Sequence, residues 1–243
     1  MLQLHPITPV LQHPMSSLGT IFDWDGVVVD SARLHVLSWD DLARDCGRTI
    51  PPEIPIGALG LKTEAVITDL LKWTDTPEEV SHLTLRKEEL FRERAKREGI
   101  DSQPGVLPFL RALNTHSVPC AVGSSAPRLN VEAGMNVLKA DGIFTAIVSG
   151  DDVTRGKPAP DIFLKAAEAM GLPPEHCIVF EDAPAGVEAA RAAGMRVVGL
   201  LTTHDPHVLQ RADLLIEDFN EITARDFMTW AEAGRRDLKL SPG

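Results

Sequence analysis

Gly19-Thr20-Ile21-Phe22-Asp23-Trp24-Asp25-Gly26-Val27-Val28-Val29-Asp30-Ser31 is the stretch of this 243-residue chain whose reading decides the fold. A short apolar run, Ile21-Phe22, leads straight into two carboxylates one residue apart. At the C-terminal end of a buried parallel strand, Asp23 and Asp25 would sit where open α/β sheets bind their ligands. Two negative charges buried so close together are costly without a cation or a proton to compensate them. One Asp could cap a turn, but two facing one crevice ask for a metal. Gly26 then lets the backbone turn away sharply.

Working outward, further short β-rich runs predict strands at 118 to 123, 146 to 149, 177 to 181, 196 to 201 and 213 to 216. Between them apolar residues recur at helical spacing, as in Ile162, Phe163, Ala166, Ala167 and Met170, with Gly171 as a C-cap. This alternation predicts an α/β protein, a doubly wound, Rossmann-like parallel sheet with helices on both faces. Residues 33 to 103 break the pattern. They hold no convincing strand and predict helices at 33 to 46, 62 to 73 and 77 to 98, with Pro51, Pro52 and Pro55 between the first two. The expected organisation is a leader over 1 to 17, a core from 18 to 32 and 104 to 235, a helical insertion from 33 to 103 and a tail from 236 to 243. The charged run from Arg86 to Glu98 reads as an exposed helix face laced with i,i+4 pairs.

The chain carries 24 Lys and Arg against 35 Asp and Glu, a formal charge of −11. A surface that acidic repels polyanions, which argues against nucleic acid and anionic membrane as partners. No apolar run approaches the roughly 20 residues needed to span a bilayer. Cys46, Cys120 and Cys177 are widely spaced and odd in number, so they read as reduced core or near-core thiols rather than a disulfide framework or a zinc site. The first 17 residues contain no Lys or Arg, which fits neither a secretory signal nor a transit peptide, and either Met1 or Met15 could be the start. A cytoplasmic, monomeric protein is the expectation.

A second carboxylate pair, Glu181-Asp182, ends the run Cys177-Ile178-Val179-Phe180 and precedes Ala183-Pro184-Ala185-Gly186 and a helix. If the two strands are neighbours, four acidic side chains converge at one sheet edge. Hard oxygen ligands of this kind suit Mg²⁺. Gly123-Ser124-Ser125 closes another strand at a helix start, where hydroxyl and backbone N–H groups can hold phosphoryl oxygens. Lys157, in Gly156-Lys157-Pro158-Ala159-Pro160-Asp161, could neutralise both a carboxylate cluster and a substrate phosphate.

The set DWDGVVVDS, GSS, GKPAPDIF and FEDAPAG, in that order at the ends of successive strands, resembles the haloacid dehalogenase superfamily. More narrowly, it resembles the subgroup of β-phosphoglucomutases and small sugar-phosphate or polyol-phosphate phosphatases. The resemblance runs from Gly19 to about Leu215, and it implies that the helical insertion is a cap domain. It implies Asp23 as the nucleophile that forms an aspartyl-phosphate and Asp25 as the general acid and base. Mg²⁺ would bind Asp23, the Asp25 backbone carbonyl and Asp182, with Glu181 in or next to the shell, while Ser124 and Lys157 would hold the transferring group. An Asp two residues after the nucleophile argues against the dehalogenase branch. His35 and Trp39 fall where β-phosphoglucomutases carry a His and a Trp, so His35 either contacts substrate or is a solvated or hinge-packing side chain. The mutases' cap arginine is replaced by Lys62, offset by one position in Gly60-Leu61-Lys62-Thr63-Glu64, and Pro127 and Arg128 stand where the mutases have Lys and Asn. Lys62 and Arg128 are therefore expected substrate contacts in a Mg²⁺-dependent phosphatase of a small phosphorylated metabolite. A β-phosphoglucomutase-type phosphomutase is the alternative, and a non-catalytic metabolite-binding module a more distant one.

Overall fold

The computed structural model describes residues 18–51 and 62–239. The leader over 1 to 17, Pro52, Pro55, Gly60, Leu61 and the last four residues of the expected tail lie outside the described residues. Six parallel strands build the main sheet: β1 (Gly19–Phe22), β4 (Cys120–Gly123), β5 (Ala146–Val148), β6 (Cys177–Glu181), β7 (Arg196–Leu200) and β8 (Leu214–Ile216), in the spatial order β5-β4-β1-β6-β7-β8. β1 lies between β4 and β6, with Phe22 in register with Val122 on one side and Phe180 on the other. Chain order therefore reverses direction at β1, and such a switch point opens a crevice at the strands' C-terminal ends. Asp23 and Glu181 stand at that end.

Both sheet faces are covered, and the period-two alternation of each strand sorts its side chains between them. Ile21, Val179 and Val197 join Ala121, Ile162, Phe163, Ala166 and Val187 beneath α6 (Asp161–Ala169) and α7 (Pro184–Ala192). Phe22, Phe180 and Val198 face the other way, into a cluster shared with α4 (Val106–Thr115), α5 (Arg128–Leu138) and α8 (Ala224–Lys239). There Phe22 and Phe180 stack with centroids 4.5 Å apart, while Phe109 meets Phe180 edge to face at 5.6 Å. Each of these buried rings is worth roughly 1.5–3 kcal/mol of apolar transfer. α8 runs on to Lys239, past the expected start of the tail at 236.

The insertion is helical, as its sequence predicts: α1 (Ala32–Asp45), α2 (Thr63–Ala65) and α3 (Pro77–Glu98). α2 continues into a wider π turn over Val66–Leu70, in which the Leu71 N–H donates to the Val66 carbonyl. α3 starts with Pro77 in its first turn and stops at Gly99, whose φ of 83° suits glycine. Trp39, Leu42, Val66, Ile67, Leu83 and Leu90 form the insertion's own apolar cluster. The expectation that 33 to 103 holds no strand needs correction. β2 (Val29–Asp30) and β3 (Asp101–Ser102) pair antiparallel where the chain leaves the core and where it returns. Two-residue strands are too short to carry a periodic signal. Cys120 and Cys177 are buried and outside any disulfide, but Cys46 is exposed. No helix among the described residues is long and apolar enough to cross a membrane.

Candidate active site

Three carboxylates meet at the sheet's C-terminal edge. Asp23, Glu181 and Asp182 each offer an oxygen within 4.8 Å of the others. β1 and β6 place them there, because the Asp23 N–H donates to the Phe180 carbonyl and locks the two strand ends together (3.0 Å). Lys157, brought over by the loop before α6, lies with Nζ 2.5 Å from Glu181 Oε1 and 3.0 Å from Asp23 Oδ1. That ammonium also sits 4.9 Å from the Phe163 ring centroid. Glu181 is fully engaged: its second oxygen accepts the N–H groups of Asp182 and Ala183. A Cβ on Gly186 would overlap its carboxylate, so the glycine of the FEDAPAG element is what lets α7 approach.

The electrostatics follow from burial. Removal from water, with Glu181 and Asp25 nearby, pushes the Asp23 carboxyl up to about 7 despite the opposing Lys157. Burial, reinforced by Glu181 and Asp23, also lifts Asp182 well above the usual carboxylate range. Lys157 moves up as well, because its two carboxylate neighbours outweigh its own desolvation. Asp23 Oδ1 is buried, and Lys157 meets it at ion-pair distance but not with hydrogen-bond geometry. Three buried carboxylates sharing one ammonium, two of them holding their charge only at a cost, are what a hard divalent cation would relieve. The residues present fit such an ion.

Asp25 is treated differently by its surroundings. Although burial opposes it, hydrogen bonds from His35 and Ser31 and the charge of Lys87 hold its carboxyl below the ordinary range. Ser31 Oγ donates to Asp25 Oδ1 (2.5 Å), and His35 Nε2 is 3.5 Å from the same oxygen. His35 stacks on Phe91 at 4.2 Å, and its Nδ1 lies 2.9 Å from Lys87 Nζ. Lys87 and Glu88 are 3% and 6% exposed, so the run from Arg86 to Glu98 is not simply an outer face. Its outer side carries the expected i,i+4 pair, Arg94 with Glu98, while Glu88 turns inward and binds Lys87, Thr63 and Asn130. The Glu88 to Asn130 hydrogen bond ties α3 of the insertion to α5 of the core (2.6 Å). Sequence reasoning missed Lys87 and Glu88, yet a signal was present: position 87 lies on the same helical face as Leu83, Leu90, Phe91 and Ala95.

The other expected contacts divide. Ser124 is buried at the end of β4; its N–H donates to the Val148 carbonyl and its Oγ accepts the Ala126 N–H. Lys62 is exposed, and its chain end runs beside Gly156, next to Lys157. Arg128 is engaged elsewhere: its guanidinium donates to Asp152 (2.7 Å) and to the Ile147 carbonyl (3.0 Å) at the β5 edge. Trp39 is packed inside the insertion.

A comparison with known proteins matches residues 20–200 to the family of haloacid dehalogenase-like hydrolases. The chain belongs to that family. It stands with the family's phosphoric monoester hydrolases: it is 33% identical over 88% of its length to a chloroplastic 5-amino-6-(5-phospho-D-ribitylamino)uracil phosphatase of Arabidopsis thaliana, spanning 58% of that protein. It is also 32% identical to hexitol phosphatase A of Escherichia coli, over 86% of this chain and 94% of that one. Among solved structures, a β-phosphoglucomutase from Clostridium difficile superposes with a TM-score of 0.77 at 24% identity, covering 88% of this chain and 97% of that one. At that identity the likeness is one of fold.

Proposed function

We propose that this haloacid dehalogenase-like hydrolase is a Mg²⁺-dependent phosphatase of a small sugar or polyol phosphate and works through an aspartyl-phosphate on Asp23. The observation that carries the reading is the buried cluster of Asp23, Glu181 and Asp182, whose oxygens lie within 4.8 Å of one another around Lys157, at the switch point of the sheet. Asp23 and Asp182, with the Asp25 backbone carbonyl, would hold Mg²⁺, which when bound draws charge from the phosphoryl oxygens. Glu181, whose oxygens are taken by Lys157 and two amides, acts by fixing Lys157.

In the first step an Asp23 oxygen attacks phosphorus, the ester P–O bond breaks, and Asp25 gives its proton to the leaving alkoxide. An incoming phosphate, itself an anion, raises the proton affinity of Asp25 for this step. In the second step water attacks the phosphoryl group, passes a proton to Asp25, and restores the Asp23 carboxylate with release of phosphate. Ser124 and Lys157 position and neutralise the group in transit. The helical insertion acts as a cap that brings His35, Lys87 and Lys62 to the crevice and excludes bulk water. Water rather than a second sugar hydroxyl is the acceptor we favour, because Arg128 is held by Asp152 and the relatives at 32–33% identity are named as phosphatases. Those two names describe phosphates borne on a ribityl chain and on hexitols, which is the basis for the substrate class.

A phosphate-release screen over sugar, polyol and nucleotide phosphates with and without Mg²⁺, with Asp23→Asn as control, tests the reading. Release that depends on Mg²⁺ and disappears in the variant is expected. Substantial turnover by pure Asp23→Asn protein would refute the nucleophile assignment.

A further inference from the structure

The loop after β7, Leu201-Thr202-Thr203-His204, has no part in the reaction scheme above, yet it touches both acidic loops. Thr202 Oγ1 donates to the Gly26 carbonyl, 2.7 Å away and 176 positions earlier in the chain. Thr203 Oγ1 lies 2.5 Å from Asp182 Oδ2 and 3.1 Å from the Asp182 carbonyl. His204 Nδ1 lies 2.8 Å from Thr203 Oγ1 and 3.1 Å from the same carbonyl. A hydroxyl has one proton to give. The arrangement is consistent if the His204 Nδ1–H donates into the pair of acceptors, leaving the Thr203 hydroxyl to donate to Asp182 Oδ2. On its other side this oxygen rests against Gly26, where a Cβ would overlap it and where φ is +77°.

The Asp182 carboxylate is thus held from two directions through one oxygen, and the other oxygen remains for a cation. A freely rotating carboxylate loses conformational entropy when it binds a metal, and one already fixed does not. Hydrogen bonds from outside the ligand set that orient a ligating carboxylate commonly change metal affinity 10–100-fold. Thr203 lies 21 residues beyond Asp182 in sequence and on a different strand's loop, so helix capping at α7 does not account for the contact.

We infer that Thr203 is a positioning residue for the divalent cation: its hydroxyl fixes the rotamer of Asp182 and reserves one carboxylate oxygen for the metal, while Thr202 steadies the Asp25-Gly26 turn opposite. The inference rests on the proposed Mg²⁺ site, and the test separates the two. Mg²⁺ binding to purified protein is measured by titration calorimetry for the parent, Thr203→Val, Thr203→Ser and Asp182→Asn, alongside metal-free thermal unfolding of each. Thr203→Val is expected to bind Mg²⁺ about 10–100-fold more weakly. Thr203→Ser, which keeps the hydroxyl, should return to within a few-fold of the parent, and the Mg²⁺ concentration for half-maximal phosphate release should follow the same order. If Thr203→Val binds Mg²⁺ like the parent while Asp182→Asn does not, the inference falls and the metal site stands. Equal weakening in the Val and Ser variants also overturns it, since packing rather than the hydroxyl would then be responsible. A parent that binds no Mg²⁺ and releases no phosphate overturns the proposed function and the inference with it.

Discussion

Replacing Asp23 with Asn should remove turnover and, in metal-free buffer at alkaline pH, make the protein more stable. The side chain is buried beside Glu181 and Asp25, and its carboxyl is lifted from 3.8 to about 7. Each tenfold change in proton affinity is about 1.4 kcal/mol, so the ionised carboxylate costs the metal-free fold about 4 kcal/mol. The sign follows from linkage. An acid whose folded value is raised binds more protons folded than unfolded, so its penalty is absent below about 3.8, grows as pH rises and is complete above about 7. About half of it is present at pH 5.5. The buried asparagine amide returns about 1–3 kcal/mol of unmet hydrogen bonding, and the net gain at pH 8 is about 1–3 kcal/mol. Urea unfolding of parent and variant in chelator, at pH 5.5 and pH 8, measures this directly. The variant's advantage should widen by about 2 kcal/mol between the two values. Added Mg²⁺ at 100 times its dissociation constant should then raise the parent by about 2.7 kcal/mol and the variant by less. A variant no more stable than the parent at pH 8, or a difference that does not change with pH, would refute the account of a charge held against its own burial.

Lys157→Met leaves Asp23 and Glu181 buried without their shared ammonium, so urea unfolding should show a loss of about 3–5 kcal/mol together with loss of phosphate release. Glu88→Gln strips buried Lys87 of its carboxylate partner and should cost about 3–5 kcal/mol near neutral pH. Because the Glu88 carboxyl is held below its ordinary 4.5, its contribution is present above that value and lost as pH falls through the lower folded one, so the two unfolding curves should converge in acid. Arg128→Ala removes a half-exposed pair with Asp152 and should cost no more than about 1 kcal/mol in unfolding while leaving turnover unchanged. A collapse of turnover in that variant would restore Arg128 to the substrate site.

The acid pairs were legible because a parallel sheet buries its strands, and a carboxylate ending an apolar run must then face the crevice. The placements of Ser124 at a strand end and of Lys157 just before a helix were legible by the same rule of position. Lys87 and Glu88 were not, because a helix with charges of alternating sign reads as solvated unless its apolar face is traced through Leu83, Leu90, Phe91 and Ala95. Thr202 and Thr203 lie in a loop without period, and their partners Gly26 and Asp182 are remote in sequence. The engagement of Arg128 elsewhere was not legible for the complementary reason. Its local motif pointed at the substrate, while Asp152, 24 residues on and closing a 3₁₀ turn, competes for the guanidinium.

Charge explains why the insertion and the core need one another. The core brings Asp23, Glu181 and Asp182 together, with Asp25 near enough to act on Asp23, and sets Lys157 against Asp23 and Glu181. Without a cation in the crevice, the phosphate of the proposed substrate would meet repulsion there, and the −11 of the whole chain would add to it at long range. On the insertion's side Lys87 is set against His35 but paired with Glu88, and Lys62 lies beside Gly156. The contact that holds Lys87 there also runs through Glu88 to Asn130 of the core. Docking the insertion fixes the His35 ring beside Asp25, and under the proposed function it also sets Lys62 near Gly156, while the charge of Lys87 is balanced by Glu88. A perturbation of the Glu88 to Asn130 link should accordingly be felt first in the apparent affinity for substrate and in the pH dependence that Asp25 sets, before it is felt at the Asp23 carboxylate itself.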